Sequence, residues 1–155
     1  VFDRLKQIKN LREKNAHDAY RRAESHWEEA VGRYRQKEQE LEEYKAYRKK
    51  ETQEQYDKIQ DQLVSRKDLE DLRAYLSGLQ KKELSIIEHV SELKKAADDA
   101  EQAKNHAKVE HKEALKQVEK FTELAAANAR VSIRQAQLTE DAALDDFIAK
   151  SPTGV

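Results

Sequence analysis

His106 and Glu110 stand four residues apart, with His111 next in line, a spacing that on a helix brings an imidazole and a carboxylate onto one face. Such a pair is the start of a divalent-metal site, but zinc needs three or four ligands in closed geometry and no second cluster is in register to supply them. The pair therefore reads as part of a solvated helix face. The chain has no cysteine, which removes thiolate metal sites, disulfides and cysteine nucleophiles together. There is no phosphate-binding glycine loop and no nucleophile–base arrangement. No cofactor and no enzymatic activity are expected. What the residues offer is an interaction surface.

The elements that carry this surface are helical. Of 155 residues, 39% are charged and 37% hydrophobic, and the single proline, Pro152, lies almost at the end, so nothing interrupts long helices. Counting in sevens from Leu69 gives Leu69, Leu76, Glu83, Val90, Ala97, Lys104, His111, Val118 and Ala125; the companion set from Leu72 includes Leu79, Ile86, Leu93, Ala100, Ala107, Ala114 and Phe121. A seven-residue repeat held this long marks a helix supercoiling on a partner. Lys104 and His111, set among alanines, are expected to fix register or to reach out to solvent.

The reversal is placed at Ser65, whose hydroxyl, three residues before Asp68, suits a helix N-cap. Gly78 is the rival turn site, but the repeat runs through it unbroken. If the chain folds back at Ser65, facing residues have numbers summing to about 130. Trp27 then falls beside Ala103, flanked by Ala100 and Ala107, Tyr34 beside Ala96 and Ala97, and Tyr44 beside Ile86. Leu5 and Ile8 meet Phe121 and Ala125. Large side chains thus face small ones, which fills the space between two helices. The first helix has its partner in the same chain, and a monomer is expected.

The pattern predicts an all-α fold: two long helices forming an antiparallel coiled-coil hairpin with a C-terminal helical extension. Residues 1–149 form one hairpin (helix one about 3–63, turn about 64–66, helix two about 67–149), and residues 150–155 a disordered tail. Arg48, Glu51 and Gln55 occupy expected core places before Tyr56, Ile59 and Leu63 resume the seam, which reads as a stutter and a looser stretch. Past Ala125 the repeat fails, where helix one has run out. Residues 129–149 are then an unpaired extension with an apolar set of Val131, Ile133, Leu138, Leu144, Phe147 and Ile148.

Charge excludes some partners. Lysine and arginine total 30 against 31 acidic residues, so bulk charge points to neither nucleic acid nor membrane, and a membrane-shaping hairpin would need a continuous basic face. No apolar run reaches membrane-spanning length and no signal peptide is visible, so the cytoplasm is the expected compartment. Locally, residues 1–22 carry Arg4, Lys6, Lys9, Arg12, Lys14, Arg21 and Arg22 against Asp3, Glu13 and Asp18, a net of +4. The C-terminal stretch carries Glu140, Asp141, Asp145 and Asp146 against Lys150.

The run Arg4-Leu5-Lys6-Gln7-Ile8-Lys9-Asn10-Leu11-Arg12-Glu13-Lys14-Asn15-Ala16 resembles the basic N-terminal signature of the YscO family of bacterial type III secretion, related to flagellar FliJ. The stretch Gln62-Leu63-Val64-Ser65-Arg66-Lys67-Asp68-Leu69-Glu70, followed by Leu79-Gln80-Lys81-Lys82-Glu83, resembles the family's turn region. Where the family often has tryptophan after the turn, this chain has Leu72 and Tyr75. The resemblance implies a central stalk, similar to the rotor shaft of rotary ATPases, that joins the type III export ATPase to the export gate protein and engages secretion chaperones. It implies a cytoplasmic location peripheral to the secretion apparatus at the inner membrane, and coupling through rigid length without chemistry. Arg4, Lys9 and Arg12 are then expected to face the ATPase, and Tyr75, Leu76 and Leu79 the gate. The competing reading is a generic scaffold coiled coil that dimerises in parallel and sets Trp27 against Trp27.

Overall fold

A computed structural model describes residues 2–150; of residues 150–155, expected to form a tail, Lys150 ends the second helix and 151–155 lie outside the described range. Two helices, α1 (Phe2–Ile59) and α2 (Arg66–Lys150), account for all of it except a short connection, with no strand among the described residues. The expected all-α architecture of two long helices packed against each other is therefore observed. Ala, Leu, Glu, Lys, Gln and Arg dominate both segments and lose little side-chain freedom in a helix. The chain divides into two compact units, each combining a stretch of α1 with a stretch of α2: residues 20–107 around the turn, and residues up to 19 with those from 108 on.

In the turn unit, α1 stops at Ile59, earlier than the expected Leu63. The last turn tightens: the Gln62 N–H donates to the Ile59 carbonyl three residues back, at 3.2 Å. Residues 60–65 then make the reversal. Ser65 caps α2 as expected, its Oγ accepting the Asp68 N–H at 3.2 Å while its carbonyl accepts the Leu69 N–H. Ser65→Ala should lower stability by about 1 kcal/mol and Ser65→Gly by only a few tenths. Urea titration followed by circular dichroism checks this; equal losses for both would mean the hydroxyl contributes nothing.

The seam in this unit follows the expected register. Ala30, Ala97 and Ala100 form one buried cluster with Trp27 and Val31 packed on it; Leu41, Tyr44 and Ile86 form a second with Val90 alongside. Tyr44 thus meets Ile86, as the spacing predicts. Ala103, however, is exposed, and Lys104 lies over the Trp27 ring with its Nζ 3.7 Å from the ring centroid. The seven-residue repeat puts Lys104 on the seam and leaves Ala103 beside it, so the indole packs on Ala100 and is covered by an ammonium.

The expected slip of the seam is present, but it falls between Gln55 and Ile59 and leaves no gap before it. Buried and half-buried positions on α1 run Leu41, Tyr44, Arg48, Glu51, Gln55 and Ile59, in steps of three, four, three, four and four, with Thr52 half-buried beside Glu51, while Tyr56 and Leu63 point outward. Up to Gln55 the seam keeps its spacing and changes its chemistry. Arg48 Nε faces a Glu83 carboxylate oxygen, and Glu83 is only 8% exposed. The Tyr75 hydroxyl donates to Glu51 at 2.8 Å, and the Tyr44 hydroxyl to the Leu79 carbonyl at 3.0 Å. Arg48 and Glu51 reach partners on the facing helix, and Gln55 donates to Glu51 of its own helix at 3.4 Å, which limits the cost of their partial burial.

Candidate functional site

In the terminal unit the first turns of α1 lie against α2 before its exposed end. Lys9 Nζ stands 5.1 Å from the centroid of the Phe121 ring, an ammonium over an aromatic face. Leu5 and Ile8, on the same turns, remain 37% and 40% exposed, so this end of the seam is only partly closed. One turn further on, His111 Nε2 lies 2.9 Å from a Glu13 carboxylate oxygen, and His17 meets the His111 ring edge-on at 5.0 Å between centroids. His111 thus ties α1 to α2 at a seam position, the first of the two roles open to it from its spacing.

Of the basic residues singled out by sequence, Arg4 and Arg12 are exposed and Lys9 is half-buried by its contact with Phe121. Lys9 and Arg12 line one cleft of ≈ 270 Å³ with Glu110, Glu113, Ala114 and Gln117. Two of its acidic side chains thus oppose the two basic ones. Lys9 is partly committed to holding the helices together, which leaves Arg4 and Arg12 as the cations more available to a partner.

Beyond Ala125 every described side chain of α2 is exposed, although the backbone stays helical to Lys150. Val131, Ile133, Leu138, Leu144, Phe147 and Ile148 are each more than half exposed, Phe147 to 72%. Exposed apolar groups in this number on one helical stretch mark a candidate interaction surface.

At the turn, the sequence-selected residues behave differently from one another. Tyr75 is exposed, and its hydrogen bond to Glu51, followed by desolvation, pushes the phenol well above its ordinary range. Leu76 and Leu79 are half-buried and turn toward the seam. What sequence reasoning missed is Leu63: placed on the seam by its spacing, it is fully exposed at 107% and lines a cleft of ≈ 460 Å³ with Ile59, Val64, Leu72 and Tyr75. The signal for it would have been the end of α1, which periodicity alone does not mark.

Among the described residues no group of three or more His, Asp or Glu side chains is placed to hold a metal ion, and no helix is long and apolar enough to cross a membrane. A family model described as Type III secretion protein YscO matches residues 2–150. The chain belongs to the YscO family. The resemblance read from the N-terminal run and the turn region is thereby borne out, and with it a role in type III secretion. The 2.8 Å crystal structure of the type III secretion protein YscO from Vibrio parahaemolyticus has the same fold, with a TM-score of 0.86 over 94% of this chain and 92% of that one, at 26% sequence identity. No curated protein matches the sequence.

Proposed function

We propose that this YscO-family chain is a non-enzymatic central stalk of a type III export apparatus, coupling the export ATPase to the export gate protein and engaging secretion chaperones. It works in the cytoplasm, peripheral to the secretion apparatus at the inner membrane. The observation that carries this reading is the bare helical end of α2 next to the basic first turns of α1: a protruding helix with apolar surface to be gripped and charge to orient it. Arg4, Lys9 and Arg12 face the ATPase. Tyr75 meets the gate, supported from the seam by Leu76 and Leu79. The stalk carries no chemistry of its own, since its polar clusters are spent on pairing the two helices. Packing of Trp27 on the chain's own alanines favours this over a scaffold rod that pairs in parallel through the same seam.

Pull-downs with the purified ATPase and gate protein test the assignment. Arg4→Glu with Arg12→Glu should weaken ATPase binding by about tenfold and make it less salt-sensitive, while gate binding and helicity are retained. Lys9→Glu, added last, also removes the contact with Phe121 and is read alongside a stability measurement. Tyr75→Ala with Leu79→Ala should do the opposite, sparing the ATPase and losing the gate. ATPase binding unchanged by the charge reversal would refute the assignment of ends.

A further inference from the structure

The exposed end of α2 has a charge pattern that pairing of the two helices leaves unused. At about 100° per residue, Arg130, Arg134, Asp141 and Asp145 fall in one row along the helix. The row has an apolar stripe on either side, Val131 with Leu138 on one and Ile133 with Leu144 on the other, all four more than half exposed. The row is segregated by sign, basic in its first half and acidic in its second.

This arrangement is unfavourable in an isolated helix. Arg130 and Arg134 are like charges four residues apart, as are Asp141 and Asp145, and such pairs destabilise a helix. Arg134 and Asp141 are seven residues apart, beyond the reach of pairing within one helix. Arg130 Nε instead donates to the Ala126 carbonyl of its own helix at 3.4 Å. Every side chain from 130 to 145 is exposed, so the segment lacks the packing that supplies most helical stability in proteins.

We propose that the free chain associates with a second copy of itself through this segment, the two helical ends lying antiparallel about residues 137 and 138. Reversing the helix about that point sets Arg134 against the other copy's Asp141 and Arg130 against its Asp145. It also brings Ile133 of one copy within a turn of Leu144 of the other. A parallel arrangement would set like charges together, so the row selects the antiparallel one. The contact is isologous and closes at two copies. It leaves the seam intact, so the chain is a monomer when dilute and pairs as its concentration rises. Pairing covers the Ile133 and Leu144 stripe and keeps it from other proteins until a tighter partner displaces the second copy.

Sedimentation of the full chain from low to high micromolar concentration tests this. The wild type should pass from monomer to dimer, more readily at low salt. Arg130→Asp with Arg134→Asp, and separately Asp141→Arg with Asp145→Arg, should each raise the dimer dissociation constant by at least about tenfold while circular dichroism shows unchanged helicity. An equimolar mixture of the two variants should dimerise again, because each now carries a row of one sign. A wild type that stays monomeric throughout overturns the proposal, as does a mixture that fails to recover. A wild-type chain that gains mass only on addition of the export ATPase also overturns it and assigns the stripe to that partner.

Discussion

Trp27→Ala is expected to lower the unfolding free energy by about 2 kcal/mol. The indole is the largest side chain on the seam of the turn unit and packs on Ala30, Ala97 and Ala100. Alanines have no side-chain reach with which to close the space it leaves. A fully buried aromatic would cost roughly 3–5 kcal/mol, but Trp27 is only half-buried and one face is covered by the Lys104 ammonium and not by carbon, so the smaller figure applies. Ala103→Leu should be tolerated, because Ala103 is exposed beside the seam. Denaturant unfolding followed by circular dichroism suits both variants, since Trp27 is the sole tryptophan and fluorescence would vanish with it. A loss of only a few tenths for Trp27→Ala, or a large loss for Ala103→Leu, would show that the packing has been misassigned.

Arg48→Ala should cost a similar amount, about 2 kcal/mol at neutral pH, for a different reason. Glu83 is buried on α2, its side chain 11% exposed, with the Arg48 guanidinium as its counter-ion. Removing the cation strands a carboxylate away from water. Arg48 is itself 38% exposed, so solvent reaches the gap and holds the loss below that of a fully enclosed pair. Replacing both, Arg48→Leu with Glu83→Leu, should be near neutral or stabilising, because two leucines would extend the apolar cluster of Leu41, Tyr44 and Ile86 by one layer toward the turn. The double-mutant cycle therefore separates a pair that adds stability from one that specifies register. If Arg48→Ala alone were neutral, Glu83 would have to be solvated and the polar layer would not be closed.

Sequence by itself determined the class and the register. A seven-residue repeat with alanines facing Trp27 and a tyrosine facing Ile86 leaves two helices few ways to fit, and the Ser65 cap marks where the second one starts, since an N-cap is a local hydrogen bond legible in four residues. The YscO resemblance was likewise written in short runs at the N-terminus and the turn. Only the tertiary structure decided the chemistry of Arg48 and Glu51. Polar types at core positions look like a break in the pattern until Glu83 and Tyr75 are seen across the seam, because a hydrogen-bond partner far along the chain leaves no trace in periodicity. The same holds for the end of α1: Leu63 has the spacing of a seam residue, yet the reversal needs residues 60–65, and chain closure overrides a periodic pattern wherever the two compete.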